Sequence, residues 1–321
     1  MTARKKNEKK ILILGAAGRL GYAAAEAFRS EGWSVTGLVR PGAAHRAPRA
    51  IKIIETADRN AAVEAAQGMS VVLHALNPPY TKWHHMALPH AYAAIEAAET
   101  SGATLMFPGN IYNYGRAMPE ILDEKTPMQP TTRKGRIRTE IEHRMLEASE
   151  RGMRTIILRA GDFFGSGRGS WFDLVLTKDI AGRVITYPGP LDCLHTWAYV
   201  PDLAAALVRL AAVRDKLSAF ETYGFPGHAV SGHDMAAAIA KAVGQGLKVK
   251  PMSWWFIHAA APIVPLPREI SEIAYLWKVP HRIAGDKLTS AIGTIPHTPL
   301  DAAVARALRA LQGPVSKRES P

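Results

Sequence analysis

The chain has 321 residues, 47% of them apolar and 21% charged, which is enough to bury a sizeable core and excludes wholesale disorder. Lys and Arg total 40 against 28 Asp and Glu, and the formal charge of +12 favours an anionic partner such as a phosphate-rich cofactor, nucleic acid or a membrane surface. Cys193 is the only cysteine, which excludes an intrachain disulfide and argues against a cysteine-built zinc site.

Arg4, Lys5, Lys6, Lys9 and Lys10 open the chain, and residues 1–9 read as a disordered basic leader. The apolar run that follows, Ile11-Leu12-Ile13-Leu14, is too short for a signal-peptide core. Short β-branched runs at 11–14, 34–39, 51–54, 71–75, 104–107 and 155–158 read as strands. Between them, 20–30, 61–67, 87–100 and 138–150 read as helices. Strands that are apolar throughout, in βαβα alternation, predict a doubly wound parallel sheet covered on both faces. After Gly165 the glycines and prolines at 167, 169 and 188–190 mark loops. Helices are expected at 202–212, with Asp202 as N-cap, and at 234–243 and 300–311. The Trp- and Pro-rich stretch 254–267 is shorter than the roughly 18–20 apolar residues of a membrane span, and its Trp254 and Trp255 read as core or lobe packing. A dinucleotide-binding core at 10–165, completed by about 196–225, a substrate lobe from 166–195 and 226–312, and a disordered tail at 313–321 are the resulting division. Cytoplasmic location without membrane attachment is expected.

The sharpest motif is Gly15-Ala-Ala17-Gly18-Arg19-Leu20-Gly21, between the first strand and the first helix. Glycine allows the turn, a close backbone approach to a pyrophosphate, and tight helix–strand packing, while the helix N-terminus attracts phosphate. An NAD site usually adds an acidic residue about 20 positions on, for the ribose 2′-hydroxyl. The second strand here ends in Arg40, with no carboxylate nearby in sequence. Arg40 suits a 2′-phosphate, with Arg19 to help, so NADP(H) is expected over NAD(H), which remains the alternative.

The glycine loop, Asp58 after the third strand and His74-Ala75 after the fourth resemble the extended short-chain dehydrogenase/reductases, and more narrowly the NAD-dependent epimerase/dehydratase group. Leu158-Arg-Ala-Gly161-Asp-Phe-Phe-Gly165, His195-Thr-Trp-Ala-Tyr-Val-Pro-Asp202 and Ile292-Gly-Thr-Ile-Pro296-His-Thr-Pro-Leu300 extend the resemblance over nearly the whole chain. It implies a Rossmann-type core with a smaller substrate lobe, and chemistry by a Ser or Thr with a Tyr-x-x-x-Lys pair. The chain departs from that pattern. Asn110 (or Gly109) stands at the serine position, Lys134 at the tyrosine and Arg138 at the lysine.

Three readings follow for this altered triad. Asn110 could donate to a substrate carbonyl and Arg138 hold the nicotinamide ribose, with Lys134 as proton donor if burial lowers its pKa. Tyr112 or Tyr114 could supply the phenol instead. Or Lys134, Arg138 and Glu142 are only a solvated helix face. Ala75 and Asn77, after the fourth strand, are candidate cofactor contacts at the sheet's carboxyl edge, and Tyr80, Trp171 and His195 are candidate substrate contacts. His84, His85 and His90 lack the carboxylate or cysteine a zinc site would add, so no metal is expected. The expected function is an NADP(H)-dependent oxidoreductase of the epimerase/dehydratase type, acting on a small carbonyl or sugar-like substrate, with a homodimer as its assembly. The alternative is a catalytically silent NADP(H)-binding sensor. Nucleic acid is not expected, because no aromatic–basic motif is present.

Overall fold

A computed structural model describes residues 9–58 and 60–312. The tail and all of the leader but Lys9 lie outside the described residues; Lys9 donates from Nζ to the Glu31 carbonyl (2.9 Å). The core is a seven-stranded, wholly parallel sheet of β1 (Lys10–Leu14), β2 (Ser34–Val39), β3 (Lys52–Glu55), β4 (Val71–His74), β5 (Thr104–Gly109), β6 (Arg154–Arg159) and β7 (Phe220–Gly224). Its order is β7-β6-β5-β4-β1-β2-β3, so the winding reverses between β1 and β4. Ile11 to Leu14 and Val71 to Leu73 are at most 1% exposed, as strands covered on both faces must be.

Helices α1 (Arg19–Ser30) and α5 (Val200–Val213) cover one face; α2 (Ala61–Ala66), α3 (Trp83–Ser101) and α4 (Arg133–Glu150) cover the other. Ala24, Ala25, Ala94, Ala97 and Ala98 on these helices are fully buried and let helix and sheet approach closely. Helices α3, α4 and α5 start earlier than the apolar periodicity suggests. α4 begins at Arg133 because the Thr132 hydroxyl accepts the Gly135 N–H (3.1 Å), a side-chain cap that precedes the apolar residues. α5 begins at Val200, so Asp202 is not its cap. The Asp202 carboxylate instead accepts the N–H (2.6 Å) and hydroxyl (2.8 Å) of Thr298.

The smaller lobe holds the strands Asp162–Phe164, His195–Tyr199 and His228–Val230 in one sheet, a pair of Val184–Tyr187 with Lys248–Pro251, and a pair of Ile121–Leu122 with Arg282–Ile283. Helix α6 (Gly232–Val243) is capped by the reciprocal Ser231–Asp234 box. The Trp- and Pro-rich stretch forms two short helices, α7 (Trp254–Ala260) and α8 (Pro265–Ser271), with Pro265 in the first turn of the second, where its missing N–H costs nothing; Trp254 packs on the lobe core as expected, whereas Trp255, expected to pack with it, is exposed. Helix α9 (Asp286–Ile292) packs on α5 and β7, with Leu288 in the core of the main sheet. Helix α10 (Leu300–Gln312) returns to pack on α6. Segment 226–312 is therefore shared between lobe and core. Among the described residues no helix is long and apolar enough to cross a membrane.

Candidate active site

The chain turns after β1 at Gly15, whose φ of +91° strains any side chain and whose Cβ would meet the Ala75 carbonyl at 3.2 Å. A Cβ at Gly21 would lie 2.1 Å from the Gly15 carbonyl oxygen, so only glycine lets α1 pack this close to the loop. Between them Ala17 is half-buried, Gly18 is the extended N-cap, and Leu20 packs inward. No side chain caps α1 and no acidic residue stands in its first turn. The first N–H groups and the positive end of the helix dipole are thus left to an anion, and a pyrophosphate fits this cradle.

Arg40 is exposed just past β2, and Asp58 is exposed past β3, where its Oδ1 accepts the Asn60 N–H (2.9 Å). The sequence reading of no carboxylate near Arg40 is corrected by the strand register. Val39 pairs with Glu55, which accepts the N–H groups of Gly42 (3.1 Å) and Ala44 (3.0 Å) and so fixes the loop that follows Arg40. On the other side of β1, half-buried Ala75 donates its N–H to the Leu14 carbonyl (3.0 Å), and Asn77 is exposed.

Beyond Asn77 lies a polar cluster at the carboxyl ends of β4, β5 and β6. The Tyr80 and Tyr112 hydroxyls are 2.9 Å apart. The Oδ1 of Asn110 accepts the Tyr112 N–H (3.1 Å) and shapes the turn that presents this phenol, leaving the amide nitrogen as a donor. The Arg138 guanidinium lies between aromatic rings, 4.8 Å from that of Trp83 and 5.0 Å from that of Phe107, and its Nε is buried without a partner. Burial pushes the Tyr80 hydroxyl up to about 12 and Tyr112 well above the usual phenol range; the Asp162 carboxylate adds to both rises and Arg138 opposes them. Both phenols are therefore protonated at neutral pH. His74 stacks on Phe107 (5.3 Å) and is pushed down to about 3 by burial, Arg138 and His90, so it is neutral beside the guanidinium.

Five candidates are placed differently from the sequence expectation. Lys134 is fully buried, but its ammonium donates to Glu269 of α8 and to Glu272 (2.8 Å), and lies 5.4 Å from the Tyr80 ring centre. Arg133 shares the same two carboxylates. Two of the three ammonium donors of Lys134 are thus taken up by carboxylates on α8 and just beyond it, so the residue ties α4 to α8. Tyr114 is turned into a buried network: its hydroxyl accepts from Arg159 (3.0 Å) and donates to the Asp123 carbonyl (3.2 Å), while Arg159 pairs with Glu142 (2.6 Å).

Arg19 does not join Arg40. Its titratable neighbours are Asp173, Tyr80 and Asp162, and its Nη1 is buried without a partner. His195 is 2% exposed and stacks flat on Trp277 (4.0 Å), with Nδ1 facing the Leu276 carbonyl (3.3 Å) and Nε2 facing the Asp162 carboxylate (2.9 Å). It positions Asp162 and has no ring nitrogen left for a substrate. Half-buried Trp171 packs edge-on against Trp277 (5.1 Å) and also borders the cluster around Tyr112. Asp162 and Glu55 are the site groups that sequence reading passed over. Asp162 had a signal, since it follows Gly161 at the carboxyl edge of a parallel sheet. Glu55 had none, because its neighbourhood is made by strand pairing. Among the described residues no group of three or more His, Cys, Asp and Glu is placed to hold a metal ion.

Residues 11–224 match the NAD dependent epimerase/dehydratase family. A 3-diazoavenalumate denitrifying reductase from Streptomyces sp is 27% identical over 179 residues; the match covers 50% of this chain and 58% of the reductase, so the chain spans little more than half of that relative's length. Among solved structures, MoeE5 in complex with UDP-glucuronic acid and NAD is similar with a TM-score of 0.74 at 19% identity, over 94% of this chain and 98% of that one. The UDP-glucose 4-epimerase from Bifidobacterium longum, in complex with NAD+ and UDP, gives 0.72 at 16% identity, over 94% and 97%. At these identities the structural likeness is one of fold.

Proposed function

The chain belongs to the NAD dependent epimerase/dehydratase family, and on that premise we propose that it is an NADP(H)-dependent oxidoreductase that reduces a small carbonyl or sugar-like substrate, with the Tyr80–Tyr112 phenol pair as proton donor. The observation that carries this reading is the pair itself: two hydroxyls 2.9 Å apart, both held protonated, near an arginine with a buried, unpartnered nitrogen. When bound, the dinucleotide supplies the hydride that reduces the carbonyl carbon. Tyr80, the less enclosed of the two phenols, gives its proton to the carbonyl oxygen, which becomes a hydroxyl. Tyr112 replaces that proton from behind, and Arg138 stabilises the negative charge left on the pair. Arg138 cannot itself be the acid, because a guanidinium stays protonated in proteins. The Asn110 amide orients the carbonyl. A homodimer in the cytoplasm belongs to the same reading.

The preference for NADP(H) rests on Arg40. The charge of Glu55 is taken up by two backbone N–H groups, and Arg40 is exposed beside that loop. NADPH should bind more tightly than NADH, and Arg40→Asp should reverse the order. A lost charge-assisted contact of about 1.5–3 kcal/mol makes the change roughly tenfold or more. Titration of both nucleotides into both proteins checks it, and equal affinities in the unaltered protein would sink it.

One observation favours the alternative of a silent sensor: the family's tyrosine position is filled by an ion-paired Lys134. NADPH consumption, followed with carbonyl compounds and nucleotide sugars, separates the two, since a sensor binds NADPH and never oxidises it.

A further inference from the structure

Arg19 stands in the glycine loop, yet its side chain belongs to the polar cluster. The loop lies against the segment that runs on from β4 to Tyr80, since a Cβ at Gly15 would touch Leu76 (3.0 Å) and the Ala75 carbonyl (3.2 Å). The groups that act on the Arg19 guanidinium are Asp173 and Asp162, both from the smaller lobe, and Tyr80; the Tyr80 phenol in turn feels both Arg19 and Arg138. The two carboxylates are engaged elsewhere. Asp173 accepts the N–H groups of Gly169 (2.8 Å) and Ser170 (2.7 Å) and the Ser170 hydroxyl (2.6 Å), and Asp162 faces the His195 ring (2.9 Å). The Arg19 Nη1 is sealed from solvent without an acceptor. Burial lowers the Arg19 pKa although all three neighbours raise it, so the negative charge around this guanidinium falls short of what its burial demands. A buried N–H on a group that stays charged calls for an acceptor from outside the chain.

Two features choose that acceptor. A single negative charge suits the place, because a phosphate dianion would stand against Asp162 and Asp173 as well as Arg19. Its place beside Tyr80 puts the charge next to the carbonyl to be reduced, away from Arg40 and the adenosine end of the cofactor. We propose that Arg19 selects the substrate, its buried Nη1 donating to a carboxylate carried beside the carbonyl, so that the compounds reduced are oxo acids and the products hydroxy acids. The step balances as in the proposed reaction. The hydride pair from NADPH forms the new C–H bond, the carbonyl π pair takes the Tyr80 proton, and NADP+ and a hydroxy acid leave. The assignment rests on that reaction for the position of the carbonyl. The competing acceptor is the cofactor's own pyrophosphate, because Arg19 is the first residue of α1.

The test uses the full chain with NADP+ bound and mandelate as the probe, whose phenyl group suits walls made of Tyr80 and Trp83, which meet edge to edge (5.6 Å). In calorimetric titration mandelate should bind and its neutral methyl ester should bind far more weakly. Arg19→Met should lower mandelate affinity about tenfold or more, as loss of a charge-assisted bond does, with NADPH affinity unchanged. Phenylglyoxylate, the matching oxo acid, should show the same change mainly in KM. Arg19→Lys, which keeps the charge without the planar fork, should lower mandelate affinity several-fold and is the variant to read if Arg19→Met does not fold. Mandelate that fails to bind, or that binds the variants and the unaltered chain alike, would overturn the proposal. So would a methyl ester that binds as well as the acid. NADPH affinity that falls in place of mandelate affinity would give Arg19 to the pyrophosphate. Arg19-dependent mandelate binding without reduction of phenylglyoxylate would keep Arg19 as the carboxylate ligand and overturn the reaction instead.

Discussion

Tyr80→Phe should lower the rate of carbonyl reduction by about 10²–10⁴-fold, the usual contribution of a positioned general acid, with NADPH affinity unchanged. The hydroxyl removed bonds to Tyr112, and the glycine-loop N–H groups that are to hold the phosphates are left in place. Tyr112→Phe should reduce turnover less, because Tyr112 acts through its 2.9 Å hydrogen bond to Tyr80. Tyr114→Phe is the control: its hydroxyl serves Arg159 and the Asp123 carbonyl, so turnover should hold while some stability is lost. Steady-state rates with a substrate found by NADPH consumption decide the order. Full activity in Tyr80→Phe would remove the phenol pair from the chemistry.

Lys134→Met should act on stability first. Lys134 is fully buried, Glu269 is 2% exposed, and Glu272 is engaged by the same ammonium. Removing the lysine leaves carboxylates underpaired away from water, at a cost of about 3–5 kcal/mol. The chain should unfold at correspondingly lower urea, and adding Glu269→Gln should recover part of the loss by removing a stranded charge. A proton-donor lysine gives the opposite pattern, with turnover abolished and little change in stability. Urea unfolding followed by tryptophan fluorescence, beside the turnover assay, distinguishes the two.

The parts of the molecule legible in the sequence are those decided locally. Runs such as Ile11 to Leu14 announce a strand covered on both faces, and the Gly15–Gly21 spacing announces the phosphate cradle, because both depend on residues within a single turn. Helix starts were less legible: Thr132 caps α4 through one hydroxyl, a contact that apolar periodicity does not register. The site was legible only in part, since its chemistry is set by partners remote in sequence. Lys134 and Arg138 sit one helical turn apart on α4 and look alike, yet Lys134 meets carboxylates more than a hundred residues away while Arg138 lies between Trp83 and Phe107. Tyr112 and Tyr114 are likewise near neighbours with opposite surroundings. One meets Tyr80 across the sheet edge, and the other is drawn into the Arg159–Glu142 pair. Asp162 gains its place from His195, which faces it from the adjacent lobe strand.

The pH dependence of hydride transfer tests the central claim most directly. A phenol whose pKa is raised is active in its protonated form, so activity is present below the raised pKa and is lost only above it. With Tyr80 pushed up to about 12 and Tyr112 held well above the usual phenol range by burial, single-turnover NADPH oxidation should run level from neutral pH into the strongly alkaline range. Loss of activity between neutral pH and the ordinary phenol range near pH 10, or NADPH that binds and is oxidised by no carbonyl compound at any pH, would contradict a buried phenol pair as the acid.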